Sequence, residues 1–476
     1  MANDNYFNSK QFKDNLSKYE DSRTKGEFAY MDADELNDIA EYFYNNGKID
    51  ESIEAIDYAI SLFPGATGPL VFRSRIALIV NNDPQKAESF AEQIADKSDL
   101  DYFYIKAEIM IFCGQVEESD KYLTEKFNEI DEDEQEDFII DVSTMYADYD
   151  RMDMAQKWLQ SSQDKESADY QELQGRIAMQ EGNYKESNRI FNELLDKDPF
   201  SSPYWNQLAS SQYMSNEIKD SITSSEFSIA INPNDDEAIL NKANGLFFLG
   251  NIDEAMKYYQ KLSQLKPNDE TGELFQGITL IKLNRLQEAV IHLQKAEVLA
   301  ENQPQSQPQS LLEIYQTLAY TLSSLGKPEL AISYIDKATS IQNANEDELT
   351  VLRGHVFLEQ ENFKAARKYF KKALRHSMSS PQIILRIAIS MFDNGYINQA
   401  YEMLKTLLDI VNEAWTDGYS YFAACCLELG KDEEYADALR KACDKNPSEV
   451  KSVLGDELPP DLNTSEYFDY LIKNKK

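Results

Sequence analysis

Pro199, Pro233 and Pro267 stand 34 residues apart, and three other series keep the same phase. One is Gly175, Ala209, Ala243 and Gly277; another is Ser187, Ser221, Ala255 and Ala289, and both hold only small residues. The last is Gly182, Asn216, Gly250 and Asn284, the two residue types that most readily accept a left-handed backbone. A period of this length marks a stacked array in which each unit covers the apolar face of the next, and it excludes a chain folded round one central core.

Each series has a physical reason. About 34 residues hold two helices of roughly four turns each with short connections. Small residues where the two helices cross let their backbones approach, and the Gly/Asn site ends the first helix in a left-handed residue. Asp253 and Glu254 then open the second helix with charge that favours its N-terminus, and Pro267-Asn268-Asp269 closes it and starts the next unit. The spacing predicts a helical hairpin, repeated.

The best copy, DEAILNKANGLFFLGNIDEAMKYYQKLSQLKPND at 236–269, resembles the tetratricopeptide repeat (TPR) motif through Ala243, Leu246, Gly250, Ala255, Tyr259 and Pro267. The phase runs upstream through Gly47/Pro64, Ala107/Gly114/Ser119 and Asp150/Ala155. Downstream it passes through Ala319/Gly326/Ala331, Gly354/Ala366/Ala373, Ala388/Gly395/Ala400 and Ala423/Gly430/Ala442/Pro447. The resemblance covers most of the 476 residues. It implies an all-α TPR solenoid, a right-handed superhelix of about twelve antiparallel helix pairs. KGEFAYMDADELNDIAEYF, near the start, is also similar to a group of uncharacterised bacterial multi-TPR proteins, a likeness that implies no activity.

The organisation expected is an N-terminal capping segment over 1–32, a first array over 33–300, a Pro/Gln-rich loop or hinge over 301–311 (ENQPQSQPQ and its flank), a second array over 312–447 and a C-terminal capping segment over 448–476. Terminal units need such caps because nothing else covers their apolar faces. Phe12, Leu16 and Tyr19, at i, i+4 and i+7, predict an amphipathic cap helix before Lys25–Tyr30, and Tyr467, Phe468, Tyr470 and Leu471 predict a packed final helix. Two stretches depart from the pattern. Asn82-Asp83-Pro84 at a hairpin turn predicts a short or shifted second helix within 67–98. Asp131–Asp137, DEDEQED, lacks the Gly that a calcium loop needs at its sixth place and reads as a solvated acidic turn.

Composition narrows the function. With 42% hydrophobic and 28% charged residues the chain is not a disordered one. Against 84 Asp and Glu stand 47 Lys and Arg, a net charge of −37 that repels phosphate backbones, so no nucleic-acid partner is expected. The apolar run Val71–Val80 carries Arg73 and Arg75 and is shorter than the roughly 18 uncharged residues a span requires, so no membrane insertion is expected. Four cysteines form no disulfide framework and the start has no apolar leader, which points to the cytoplasm.

Catalysis needs several polar groups converging in one pocket. The three histidines, His292, His355 and His376, form no HExxH, and Cys113, Cys425, Cys426 and Cys443 form no C-x-x-C. A Gly-rich phosphate loop, a dinucleotide fingerprint and G-x-S-x-G are also missing. No enzyme activity, metal or cofactor is expected.

The resemblance implies that first helices of successive hairpins line a concave face that binds peptides or helices. By helical spacing the inward positions are Asn206, Gln207, Ser210 and Tyr213, then Asn241, Asn244, Phe247 and Phe248, then Leu274, Phe275 and Ile278, then Gln316 and Tyr320. Amides with aromatics suit a main-chain ligand, because an amide both donates and accepts while a ring covers the apolar part. The partner-binding groove expected is Asn206, Gln207, Tyr213, Asn241, Asn244, Phe247, Phe248, Gln316 and Tyr320. Phe247, Phe275 and Ile278 are better read as packing, and for Asn241 and Asn244 ligand binding and plain solvation weigh equally. Asn37 and Glu41 occupy the places where some TPR proteins clamp a C-terminal carboxylate with Lys and Asn, so that specificity is not expected. Arg75, Arg176 and Arg386 are open to single acidic ligands, while Asp101, Glu108, Asp141 and Glu172 favour a basic partner segment. The function expected is a non-enzymatic scaffold or adaptor for a peptide or partner protein. The alternative is a self-associating module of a larger complex that uses aromatic caps at Tyr6–Tyr19 or Tyr467–Leu471; an enzyme or nucleic-acid regulator ranks last.

Overall fold

A tight hairpin turn needs one residue in a backbone conformation that most side chains avoid. Gly182, Asn216, Gly250 and Asn284 all supply it, at φ 77°, 65°, 86° and 56°. The next residue donates its N–H to a carbonyl five positions back: Asn183 to Ala178 at 2.8 Å, Glu217 to Gln212 at 2.8 Å, Asn251 to Leu246 at 2.9 Å and Arg285 to Leu280 at 2.8 Å. This Schellman closure satisfies carbonyls that a helix end otherwise leaves bare.

The computed structural model describes residues 4–7, 9–25, 31–302, 308–455, 458–459 and 462–475, and among these the regular structure is helical. The chain divides into two compact units, Met1–Pro199 and Phe200–Lys476. In unit 1, α1 (Asp4–Phe7) and α2 (Lys10–Lys25) precede five hairpins: α3 and α4 (Ala33–Asn45, Ile49–Leu62), α5 and α6 (Thr67–Ile79, Pro84–Ala91), α7 and α8 (Leu100–Phe112, Val116–Phe127), α9 and α10 (Gln135–Asp148, Met152–Leu159), α11 and α12 (Ala168–Gln180, Tyr184–Lys197). Unit 2 begins with the hairpins α13 and α14 (Ser202–Met214, Ile218–Ile231), α15 and α16 (Asp236–Leu249, Ile252–Leu265), α17 and α18 (Thr271–Lys282, Leu286–Asn302). It continues with α19 and α20 (Pro308–Ser324, Pro328–Thr339), α21 and α22 (Glu346–Glu359, Phe363–His376), α23 and α24 (Pro381–Asp393, Ile397–Ile410), α25 and α26 (Tyr419–Glu428, Asp432–Lys445), and ends with α27 (Pro447–Leu454) and α28 (Tyr467–Lys473). Among the described residues twelve hairpins are thus formed, in line with the about twelve that the period predicts.

The other eight turns use the same device at Gly47, Asn82, Gly114, Asp150, Gly326, Glu361, Gly395 and Gly430. Glu361, at φ 57°, is the costly one, because glutamate has no local hydrogen bond to reward a left-handed backbone. Glu361→Gly is therefore expected to stabilise unit 2 by about 0.5–1 kcal/mol. A rise in the urea midpoint, with none for Glu361→Ala, is the measurement that checks it.

Small residues sit where helices cross. Ser187, Ala209, Ser221, Ala243, Ala255 and Ala289 are fully buried. A Cβ added to Gly175 would lie 2.7 Å from the Phe191 ring, and one added to Gly277 would lie 2.7 Å from Leu293. At the start of unit 1, Phe12 and Tyr19 on α2 are buried, Phe12 against Tyr42 at 5.1 Å and Tyr19 against Phe43 at 6.2 Å between ring centres. At the end of unit 2, Tyr467 and Leu471 are buried in the cluster that holds Tyr435, Leu439 and Ala442.

Several expectations change. The segment read as a loop or hinge at 301–311 is helical on both flanks: α18 runs on to Asn302 and α19 starts at Pro308, which a first-turn proline permits because that N–H has no helical partner. Residues 303–307 lie outside the described residues, as do 26–30 of the segment Lys25–Tyr30. Ala300, Ile314 and Leu318 share one apolar cluster, and the Tyr315 hydroxyl donates to Glu301 at 2.8 Å. The acidic turn ends at Glu134, and Glu136 belongs to α9. Its carboxylate is not simply solvated, since it accepts from the Ser162 hydroxyl and from the backbone N–H groups of Gln163 (3.2 Å) and Asp164 (3.3 Å). The second helix within 67–98, α6, has 8 residues, and so does α10, whose shortness nothing in the spacing announces.

Candidate functional site

The residues expected to bind a partner fall into two places in unit 2. On α13 and α15, Asn206 is buried and donates to both oxygens of Asp235, at 3.1 and 3.0 Å. Asn241 donates to the Ser210 hydroxyl at 3.1 Å, and Asn244 accepts from the Tyr259 hydroxyl at 2.8 Å. Tyr213 meets Phe248 edge-on at 6.3 Å, and Phe247 packs on the cluster of Ala243, Leu246, Ala255 and Tyr259. Gln207 and Asn206 each keep a buried side-chain oxygen without a hydrogen-bond partner. Phe275 stacks on Tyr259 at 5.2 Å, Leu274 is buried and Ile278 packs beside it, as the packing reading expects. Asn206, Asn241 and Asn244 thus serve internal bonds here: three amides read as ligand contacts tie one helix to the next.

Gln316 and Tyr320 lie elsewhere, in a groove of about 310 Å³ that runs across three successive first helices. From α19 come Gln316, Thr317 and Tyr320; from α21, Glu348, Leu352 and His355; from α23, Arg386, Ile389 and Asp393. Spacings of three and four residues put each set on one helical stripe. The Tyr320 ring stacks on His355 at 5.1 Å, with 27° between planes.

Local bonding holds the floor of this groove in place. His355 is buried, and its Nδ1 lies 3.0 Å from the Ser390 hydroxyl and 3.4 Å from the Asn394 amide nitrogen. An amide nitrogen only donates, so Nδ1 accepts and Nε2 carries the ring proton, 3.6 Å from Glu359. Burial acts to raise the Glu359 carboxyl, but the His355 ring and the Ser323 hydroxyl outweigh it and hold the group below the usual carboxylate range. Desolvation pushes Asp393 up, and burial with the nearby Asp393 and Glu359 charges pushes the Tyr320 hydroxyl up to about 12. The groove therefore presents a fixed aromatic platform, an amide, two carboxylates and one guanidinium.

The three arginines differ in what they can still bind. Arg75 is engaged by Glu108 at 2.7 and 3.1 Å, and Arg176 by Asp148 at 2.7 Å. Arg386 is exposed and makes no ion pair among the described residues. In unit 1, Asp141 accepts from the Tyr104 hydroxyl at 3.0 Å. Partial burial raises the Asp141 carboxyl and the neighbouring charges of Asp137, Asp101 and Asp169 add to it; burial likewise raises Glu172. Of the four carboxylates read as open to a basic partner, Glu108 is taken by Arg75.

The sequence offered Arg386 as a single contact for an acidic ligand without joining it to Gln316 and Tyr320. Gln316, Val351 and Arg386 are 35 residues apart, as are Tyr320, His355 and Ser390, so carrying the phase of α19 forward lands on α21 and α23. The repeat itself was the missing signal for His355 and for joining Arg386 to the same stripe. In the aromatic caps, Phe7, Phe12, Tyr19, Tyr467 and Leu471 are buried within their own units, while Tyr6, Phe468 and Tyr470 keep part of their surface exposed.

Among the described residues no group of three His, Cys, Asp or Glu is placed to hold a metal ion, and no helix is long and apolar enough to cross a membrane. A family model for the tetratricopeptide repeat matches residues 236–269, 312–345 and 349–375, three of the hairpins described above. Those three hairpins are similar to the tetratricopeptide repeat, and the other hairpins among the described residues repeat the same two-helix arrangement. It is similar to human tetratricopeptide repeat protein 13, with 23% identity over 164 residues, which is 33% of this chain and 18% of the human protein. The chain thus spans less than a fifth of that relative's length. Among solved structures it is similar to yeast Tom70 (14% identity, TM-score 0.42, 89% of this chain and 94% of that one) and to a tetratricopeptide repeat protein from Parabacteroides merdae ATCC 43184 (19%, 0.42, 53% and 97%).

Proposed function

We propose that the protein is a non-enzymatic scaffold that holds a peptide segment of a partner protein in the groove over α19, α21 and α23. Arg386 carries the reading: it is a cation left unpaired in a chain of net −37, beside an amide and a preformed aromatic stack. A peptide offers the matching groups, with a main-chain amide for Gln316, an apolar side chain for Tyr320 and Ile389, and a carboxylate for Arg386. Unit 1 presents the opposite preference on its first helices, where Asp101, Asp141 and Glu172 suit a basic segment. A cytoplasmic setting is consistent with the cysteines: burial pushes the Cys425 thiol up to about 12 and the Cys426 thiol up to about 11, and all four cysteines are free.

Arg386→Glu is expected to lower affinity for the groove's ligand tenfold or more, about 1.4 kcal/mol, because like charge replaces attraction where the segment docks. Tyr320→Ala is expected to cost several-fold. Quantitative capture followed by titration of the captured partner, with helicity checked by circular dichroism, tests both. Partners and affinities that are the same for wild type and both variants contradict the proposal.

A further inference from the structure

Away from that groove, one second helix concentrates positive charge. α22, FKAARKYFKKALRH, holds Lys364, Arg367, Lys368, Lys371, Lys372 and Arg375 with no acidic residue, in a chain whose net charge is −37. All six are exposed. Lys372 pairs with Glu346 at 3.2 Å, and the other five make no ion pair among the described residues. Like charges three and four residues apart oppose helix formation, and Lys364 in the first turn opposes the helix dipole. The preceding second helix, α20, opens with Glu329, whereas α22 and the following second helix, α24, open with no acid. Five of the six cations are thus left without an ion pair among the described residues, beside one particular surface feature.

That feature is an apolar groove of about 490 Å³ between α22 and α24. Phe370, Leu374, Met391 and Met403 line it, and Arg367 and Lys371, one turn apart, stand at its edge. Phe363, also lining it, is 52% exposed and meets Tyr396 edge-on at 5.5 Å. Two methionines give such a floor side chains that adapt to varied apolar ligands. An apolar floor with a cationic edge matches apolar side chains flanked by carboxylates.

We propose that the α22–α24 groove is a second docking site, and that its occupant is an acidic amphipathic segment of a partner protein. The segment's Leu, Met or Phe side chains enter the groove while its Asp and Glu meet Arg367, Lys371 and Arg375. Charge complementarity selects this occupant over an anionic bilayer or a nucleic acid, because the rest of the chain repels an extended anionic surface while a short segment touches only the basic patch. The site is independent of the groove over α19, α21 and α23.

The test uses the full chain and a labelled helical peptide with leucines on one face and glutamates on the other, followed by fluorescence anisotropy. Saturable, salt-sensitive binding is expected, weakened tenfold or more by the paired change Arg367→Glu and Lys371→Glu, several-fold by Phe363→Ser, and by replacing the peptide's glutamates with glutamines. Arg386→Glu is expected to leave it unchanged. Three results overturn the proposal: no binding, equal binding by the charge-reversed chain, or sensitivity to Arg386→Glu alone. Binding to phosphatidylserine vesicles or single-stranded DNA without binding to the peptide overturns it as well.

Discussion

Arg75→Met is expected to cost unit 1 about 3–5 kcal/mol, because it leaves a buried carboxylate without its partner. The Glu108 side chain is 8% exposed, and Arg75 on α5 reaches both of its oxygens from one hairpin to the next. Burial works against the Arg75 charge, and the attraction of Glu108 outweighs it. Adding Glu108→Leu to Arg75→Met is expected to restore most of the loss, since an apolar pair of similar volume needs no charge compensation. Urea unfolding followed by circular dichroism checks both steps. If the single change is harmless, the pair is not what ties these two repeats together.

Asp235→Ala is the second large effect expected, about 2–4 kcal/mol in unit 2, from a lost N-cap and a stranded buried amide. Asp235 accepts from the Ala238 N–H at 3.0 Å at the start of α15, from the Ser228 hydroxyl at 2.9 Å and from Asn206 at 3.1 and 3.0 Å. One carboxylate thus caps a helix and ties it to its two predecessors. Asp235→Asn keeps a cap oxygen but turns one acceptor into a donor, so an intermediate loss is expected in the same unfolding assay. An equal and small loss for both variants would show that Asn206 and Ser228 find other partners.

These two residues show where sequence reading stops. Helical phase puts Asn206 and Arg75 on the ligand side, and amide and guanidinium chemistry made each a reasonable ligand contact. Their partners, Asp235 and Glu108, lie 29 and 33 residues away, and no local pattern says that the side chains meet. The fold was more legible because its determinants are local. A left-handed turn needs Gly or Asn within a few residues of a helix end, and Gly182, Asn216, Gly250 and Asn284 met that need where the period placed them. Glu361 hid a turn because its residue type gives no signal, yet its position one repeat after Gly326 does. The groove follows the same rule: Gln316 and Tyr320 were visible as an amide and a ring on one stripe and Arg386 as a lone cation, while His355 and the joining of the three helices needed the period carried forward.

Site-specific photo-crosslinking in cells tests the groove most directly. A benzoylphenylalanine at position 320 sits over the α19, α21 and α23 stripe, and one at position 330 replaces Leu330, exposed on the second helix α20. The account predicts a discrete adduct from position 320 that maps to one peptide segment of a partner and disappears with Arg386→Glu, with none of that adduct from position 330. The same adduct from both positions, or one only from position 330, would contradict it.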